Sequence, residues 1–316
     1  MNNPPSILVF FSSFRCNARC VMCSAWVKQK TRKELNCSEV ERIFSDVTLS
    51  KSIKVINLTG GEPTLREDLV EIVKIIAAKC VNLERLDLST NGITGLDVID
   101  KIEQILAYLL PRGLKLSASL SIDGVGEVHD RVRGTPGAFN TIDGVIKELR
   151  ELMRLYANFT CGVNTTINKL NYKSLEEILN YCRRNYMGIN FTLSALSEIG
   201  VESLLVEDNF GLKQEEKNVV SGFFEKLLET GQLNLRYGRF MLSWLKEGRR
   251  LESCSFRSGR SLLCEPDGSI YACGNFKDFK LGNLLEDSYK NMAASKRGFA
   301  KIYKAKCSNC NSNCYF

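Results

Sequence analysis

Three cysteines sit within eight residues near the start of the chain, in Cys16-Asn17-Ala18-Arg19-Cys20-Val21-Met22-Cys23, spaced C-x3-C-x2-C. Cysteine thiolates are the usual ligands of iron–sulfur clusters. Three of them at this spacing can hold three irons of a [4Fe–4S] cluster, leaving the fourth iron open to a small molecule. A structural zinc site would need a fourth ligand close by, and none is evident around the triplet. A second motif, Thr59-Gly60-Gly61-Glu62-Pro63, ends an apolar run. Its two glycines let a backbone approach a ligand, and Glu62 can take an ammonium group by a charge-assisted hydrogen bond. More cysteines crowd the other end: Cys254, Cys264, Cys273, Cys307, Cys310 and Cys314 all lie in the last 63 residues.

The whole chain has 316 residues, 44% hydrophobic and 25% charged, as expected for one large globular domain, or one domain with an appendage. No apolar run approaches the ~18 to 20 residues of a membrane span. The opening Met1-Asn2-Asn3-Pro4-Pro5 lacks the layout of a secretory signal, so the chain reads as cytoplasmic. Thirteen cysteines in such a chain point to metal or redox chemistry rather than to a disulfide framework. Cys37, Cys80, Cys161 and Cys182 are scattered, and Cys182 falls in step with Leu175, Ile178 and Leu179 on one helix face, as a core residue would. The net charge of +7 is modest. Lys28, Lys30, Arg32 and Lys33 read either as a solvated loop or as a docking patch for an acidic electron donor. No basic-aromatic stripe supports nucleic-acid binding.

The elements that position these motifs alternate strand and helix. Residues 6–11 predict a strand, followed by the cysteine loop; Ser38 and Glu41 then predict a capping box for a helix of about ten residues. Ile53 to Leu58 is the next strand, and Leu69, Ile72, Val73, Ile76 and Ala77 mark a buried helical stripe. A short strand through Leu86 and Leu88 ends in Ser89-Thr90-Asn91-Gly92, with a helix over 96–109. Leu114 to Ile122 alternates apolar and polar residues, as a half-buried strand does, and runs into Asp123-Gly124. A loop to Gly137, a helix, a strand over Phe159 to Ile167, a helix over 173–184 and a strand over Ile189 to Leu193 follow. Six strand–helix units predict an α/β fold, a parallel sheet curved into a partial (β/α)6 TIM-like barrel with its polar motifs at the strand C-termini, where ligands bind. From 202 to 250 the pattern is helical, and near the end Pro266-Asp267-Gly268 predicts a hairpin. The expected divisions are a barrel over 1–200, a helical linker over 201–250 and a cysteine-rich section over 251–316, which has little core of its own, so that a metal centre would explain how it stays folded.

The cysteine triplet after the first strand, with Gly60-Gly61-Glu62-Pro63 after the second, resembles the radical S-adenosylmethionine (radical SAM) superfamily over residues 6–195. The resemblance implies that SAM's methionine chelates the open iron through its amino and carboxylate groups. An electron from the cluster then cleaves a C–S bond, and the 5′-deoxyadenosyl radical abstracts a substrate hydrogen. It further implies SAM contacts from Gly60, Gly61, Glu62 and Pro63, from Ser89, Thr90 and Asn91 near the ribose, and from Ser121 and Asp123. Arg133, in the family-like stretch His129-Asp130-Arg131-Val132-Arg133-Gly134, would clamp a carboxylate; Asn164 and Leu193 would line the pocket. His129, the only histidine, reads as a structural hydrogen-bonding residue. Relatives usually carry an aromatic before the third cysteine, where this chain has Met22, which can still pack on adenine.

The tail resembles the family's SPASM/Twitch extension. That likeness implies one auxiliary [4Fe–4S] cluster on Cys254, Cys273, Cys307 and Cys310, with Cys314 able to replace one of them, and zinc as the plainer occupant. Cys264 is then spare, either a packed core residue or a hydrogen-atom donor to a substrate radical. Three outcomes stay open: oxidation (dehydrogenation) aided by the auxiliary cluster, epimerisation through a cysteine donor, and peptide cross-linking. Gly274 follows Cys273 where sulfatase-maturating relatives have an aspartate base, which does not support that activity; Glu265 and Asp267 are nearby carboxylates. The implied partners are a small-molecule or peptide substrate and a flavodoxin- or ferredoxin-type electron donor. The barrel's early start leaves no room for a leader-peptide-binding domain and favours a small molecule, or a peptide delivered by another protein. A non-enzymatic iron–sulfur or zinc scaffold, or an RNA-binding protein, would explain the cysteines but not the glycine motif.

Overall fold

The computed structural model describes residues 4–23, 26, 33–194, 211–248, 254–293, 307 and 310. Expectations for Lys28, Lys30, Arg32 and Cys314, and for parts of the helical stretch, lie outside the described residues. In chain order the elements are β1 (Ile7–Ser13), α1 (Cys37–Phe44), α2 (Val47–Ser52), β2 (Val55–Gly60), α3 (Leu69–Lys79), β3 (Arg85–Thr90) and α4 (Leu96–Leu109). Next come β4 (Lys115–Ser121), α5 (Glu127–Arg133), α6 (Ala138–Leu155), β5 (Phe159–Ile167), α7 (Leu175–Arg184) and β6 (Gly188–Leu193). The remainder is α8 (Gln214–Glu229), α9 (Leu235–Glu247), β7 (Ser261–Cys264), β8 (Ser269–Tyr271), β9 (Lys280–Asn283) and α10 (Tyr289–Ala293).

All strands join one nine-stranded sheet in the order β6-β5-β4-β3-β2-β1-β7-β8-β9. Strands β1 to β6 pair in parallel, each with the next in sequence, as right-handed strand–helix units require. Period-two alternation divides their side chains between two faces. Leu8 and Phe10, Ile56 and Leu58, Leu86 and Leu88, and Leu116, Ala118 and Leu120 pack against the helices in one large core. Helix α3 shows what holds the outer layer: Leu69, Ile72, Val73 and Ile76 are all fully buried. Each such side chain contributes about 1.5 to 3 kcal/mol by leaving water. The opposite face of the sheet carries Asn57, Ser89, Ser119, Ser121, Asn164, Thr166, Asn190 and Thr192, none of them fully buried.

Three local expectations change. The first helix is capped two residues earlier than its sequence suggests. Asn36, not Ser38, accepts from the Glu39 N–H, and the Glu39 side chain returns the bond to the Asn36 N–H. Ser38 instead donates to the Asn36 side chain at 2.7 Å. The stretch before Gly137, expected as a loop, contains α5, which ends at Gly134 in a left-handed conformation (φ +60°). The tail's hairpin, β7 and β8, exists as expected, but β7 also pairs in parallel with β1, from Ile7↔Ser261 to Phe10↔Cys264. The cysteine-rich section therefore extends the barrel's sheet, and gains backbone hydrogen bonds and core contacts that its own few residues could not supply.

Candidate active site and cysteine centres

Where β1 ends, the chain turns into the cysteine loop and lies against the turn after β2. The Gly61 N–H donates to Ser13 O at 2.7 Å and the Glu62 N–H to Arg15 O at 2.6 Å. This contact, rather than the approach of a ligand, is the stronger demand for two glycines. A Cβ on Gly61 would lie 2.1 Å from Arg15 O, and one on Gly60 (φ +133°) 2.4 Å from Ser13 O. Glu34 holds the loop from its other side, accepting from Ser13 Oγ at 2.8 Å and the Phe14 N–H at 2.7 Å. Arg66 anchors it from below, donating to Ser12 O and Leu35 O, both at 2.7 Å.

Glu62 is the hub. Its Oε1 accepts from the Thr64 N–H (3.1 Å), Thr64 Oγ1 (2.7 Å) and Thr90 Oγ1 (2.8 Å), and its Oε2 from the Asn91 N–H (2.7 Å). Burial pushes the Glu62 carboxyl above its ordinary value, against the pull of these donors. Oε1 is saturated, so Oε2 is the oxygen with room for a ligand's ammonium. Pro63 opens a short 3-10 turn and is buried beneath the site. Asn91 ties the third strand to the cysteine loop: its Nδ2 reaches Asn17 Oδ1 at 2.7 Å and Cys16 Sγ at 3.8 Å. Burial, first among several causes, pushes the Cys16 thiol up to about 11, and neighbouring Cys20, Glu62 and Cys23 add to the rise. Iron as a bound cation reverses that preference and favours the thiolate.

These parts border one cavity of about 280 Å³, whose wall includes Cys16, Cys20, Cys23, Gly60, Gly61 and Glu62. Of the other sequence-derived residues, Ser89, Asn91, Ser121 and Arg133 also reach it. Four expectations need correction. Asp123 is fully buried beside the cavity; its Oδ2 lies 2.7 Å from Arg133 Nη2 and its Oδ1 accepts from the Thr166 N–H at 2.7 Å. It positions Arg133 and does not line the cavity wall. Arg133, expected as a carboxylate clamp, uses both terminal nitrogens on the protein, Nη2 on Asp123 and Nη1 on Cys20 Sγ at 3.6 Å. Burial pulls this guanidinium down and Asp123 pushes it up further, so it stays cationic. Leu193 has the wrong strand parity and packs into the helix-side core; its neighbour Ser194 borders the cavity. Asn164 has the right parity but sits lower, accepting from Asn190 Nδ2 at 3.2 Å, while Thr166, two residues on, lines the wall.

Met22 lines the cavity, and Trp26, with Arg19 stacked 5.5 Å from its ring centroid, brings an aromatic ring to the same wall. Thr90, named with Ser89 and Asn91 at the third-strand end, lines the cavity too, and Thr59, Thr166 and Ser194 complete a wall that sequence reasoning missed. Strand parity counted from Ser121 and Asn164 would have found Thr166. His129 is structural: it is fully buried, and its Nδ1 accepts the Asp123 N–H at 3.2 Å. Burial, with Arg133 adding to it, lowers its pKa to about 3, so the ring is neutral.

In the tail, Cys273 and Phe279 form a small buried cluster against which Cys307 packs. The Asn275 N–H reaches Cys273 Sγ at 3.4 Å and Asn275 Nδ2 reaches Cys310 Sγ at 3.7 Å. Burial pushes the Cys273 thiol up to about 12, with Cys254 and Cys310 close enough to contribute. Cys254, Cys273, Cys307 and Cys310 thus share one region, with N–H donors on two of the sulfurs, a donor set that suits a buried iron–sulfur cluster. Cys264 stands apart. It shares the helix-side core with Leu8 and Phe10, is fully buried, and burial pushes its thiol far up. A thiol on that face of the sheet cannot reach a radical formed on the other, which removes the structural basis for a hydrogen donor there. Cys182 is buried in the core, as its spacing predicts. Among the described residues no helix is long and apolar enough to cross a membrane.

Comparisons with known proteins agree with this construction. A family model described as the radical SAM superfamily matches residues 11–182, and one described as an iron–sulfur cluster-binding domain, SPASM, matches residues 254–315. The mycofactocin maturase MftC of Mycolicibacterium smegmatis is 24% identical over 318 residues, covering 98% of this chain and 75% of that protein. The Fe-coproporphyrin III synthase of Methanosarcina barkeri is 30% identical over 175 residues, 54% of this chain; the match spans only 39% of that relative's length. The solved structure of anSMEcpe with bound AdoMet and Kp18Cys peptide shares the fold, with a TM-score of 0.66 at 21% identity over 95% of this chain and 83% of that one. The chain belongs to the radical SAM superfamily and carries a SPASM-type domain at its C-terminal end.

Proposed function

We propose that the chain is a radical SAM oxidoreductase that dehydrogenates a polar substrate, a peptide segment or a hydroxyl-rich small molecule. Cys16, Cys20 and Cys23 hold the SAM-binding [4Fe–4S] cluster, and Cys254, Cys273, Cys307 and Cys310 an auxiliary one. When bound, the first cluster and SAM supply one-electron cleavage of SAM and abstraction of a substrate hydrogen. Glu62 Oε2 takes the methionine ammonium, while Ser89, Asn91 and Ser121 border the space left for the nucleoside. An auxiliary centre held by the four tail cysteines would supply an acceptor for the second electron of a two-electron oxidation, in which the substrate loses one hydrogen atom, one electron and one proton, the proton passing to solvent.

The observation that carries this reading is the convergence of the three cysteines, Glu62 with its open Oε2, and the third-strand Asn91 on one cavity. Substrate chemistry rests on the sheet face below it. Ser89 Oγ donates to Asn57 Oδ1 at 3.4 Å, Asn190 Nδ2 to Asn164 Oδ1 at 3.2 Å, and the hydroxyls of Thr166 and Thr192 lie 3.3 Å apart. A floor of amides and hydroxyls matches hydrogen-bonding groups and disfavours a bare apolar ring system. A peptide bound in the anSMEcpe structure and the maturase activity named for MftC support the peptide arm. The position of Cys264 favours oxidation over cysteine-dependent epimerisation.

Anaerobic reconstitution followed by SAM and dithionite tests the reading. Methionine and 5′-deoxyadenosine are expected, and about four irons per chain should survive Cys16→Ala/Cys20→Ala/Cys23→Ala. Absence of both products from the fully loaded protein, with peptide and polyol candidates present, would refute it.

A further inference from the structure

The three cysteines of the loop do not share one environment. Cys16 Sγ faces a neutral amide, Asn91 Nδ2 at 3.8 Å. Cys20 Sγ faces a cation, with Arg133 Nη1 at 3.6 Å, and Cys20 and Arg133 are both buried. The guanidinium is held from behind by Asp123, itself fixed by the Thr166 N–H. Its backbone is fixed too. Arg133 O accepts from the Arg19 N–H and Val132 O from the Val21 N–H, both at 2.9 Å, so the end of α5 grips the loop on either side of Cys20. Gly134 makes the fit possible, since a Cβ there would lie 2.4 Å from Arg19 O.

We propose that Arg133 is a positioning residue that sets the reduction potential of the N-terminal cluster through its charged N–H···S contact with Cys20, with Asp123 as its counterweight. The inference rests on the cluster assignment made above. One-electron reduction adds a negative charge to a cluster whose potential depends on hydrogen bonds to its sulfurs and on nearby charge. A buried cation at 3.6 Å favours the reduced form, and the Asp123 carboxylate behind it trims that preference. The cluster then takes its electron from the low-potential donor more readily than its buried site alone would allow. Arg133 thus acts on electron delivery as well as bordering the SAM cavity.

The test is a redox titration of the reconstituted full chain, poised with dithionite and mediators and read by EPR. The signal that SAM perturbs marks the N-terminal cluster, and the auxiliary signal serves as internal reference. Arg133→Gln is expected to lower the reduced-to-oxidised ratio at a fixed poise at least tenfold, equal to 59 mV for a one-electron couple. Arg133→Lys should recover part of that loss. Asp123→Asn should shift the ratio the other way, which damage to the loop would not do. If Arg133→Gln fails to load iron, the Lys and Asn variants decide. Potentials unchanged in all loaded variants would overturn the inference and leave the function standing, whereas no SAM-responsive signal in the wild type would overturn the function itself.

Discussion

The close contact between the glycine motif and the cysteine loop makes Gly61→Ala the sharpest probe of the site. The new Cβ would sit 2.1 Å from Arg15 O, 2.6 Å from Arg15 C and 2.8 Å from Phe14 O. All three are backbone atoms of a loop held by Glu34 and Arg66, so no side chain can swing away to relieve the clash. Forcing a methyl into packed surroundings costs about 1 to 3 kcal/mol. Moving the loop away also breaks the Gly61 N–H to Ser13 O and Glu62 N–H to Arg15 O bonds, each contributing about 1 kcal/mol. The expected total is about 3 to 5 kcal/mol, a large share of the roughly 5 to 15 kcal/mol that holds a typical domain. Urea unfolding of the iron-free protein reads this directly, before any cluster chemistry intervenes. Gly144→Ala is the control: it lies inside α6 with nothing within 4 Å of the added carbon, and should stabilise by about 0.4 to 1 kcal/mol. If Gly61→Ala unfolds like the wild type and still loads its N-terminal cluster, the glycines do not serve loop contact and the site's construction is misread.

Two further outcomes follow from buried groups. Cys264→Ala should cost about 1 kcal/mol of stability and leave 5′-deoxyadenosine formation and solvent-deuterium incorporation unchanged; loss of deuterium at one carbon would reinstate a hydrogen-donor role. His129 has a folded pKa of about 3 against an ordinary 6.5, so between these values the unfolded chain binds the extra proton and stability falls as pH falls. From pH 7.5 to 5.5 this amounts to about 1.4 kcal/mol, and the wild type's loss on urea unfolding of the iron-free protein should exceed that of His129→Gln by that amount; equal losses refute the neutral buried ring.

The parts of the fold and site legible in the chain are those whose signal is local. The helix over Leu96–Leu109 and the strand over Phe159–Ile167 match their expected bounds, because apolar periodicity is a property of consecutive residues. The cysteine triplet and Gly60-Gly61-Glu62-Pro63 were readable for the same reason: each packs its chemistry into a few covalently linked positions. What failed depended on which way a strand's last residue points, or on a neighbour far away in sequence. Leu193 and Ser194 differ by one position yet face opposite sides of the sheet. Ser38 competed with Asn36 for the cap, and the two lie only two residues apart.

The Cys16-to-Cys23 spacing by itself determined that an iron-binding loop follows the first strand, and the two glycines with Glu62 determined that the second strand ends in a tight polar turn. Only the tertiary structure decided what those residues are for. The glycines make room for the backbone of Ser13 and Arg15, Asp123 turns inward to hold Arg133, and Arg133 meets Cys20 across 113 positions of sequence. It also decided that Cys264 lies on the far face and that β7 closes onto β1. Spacing along the chain sets which atoms can act together as neighbours in a loop. Which distant groups share their charge, and which face a side chain takes, is set by strand pairing and packing that no short stretch contains.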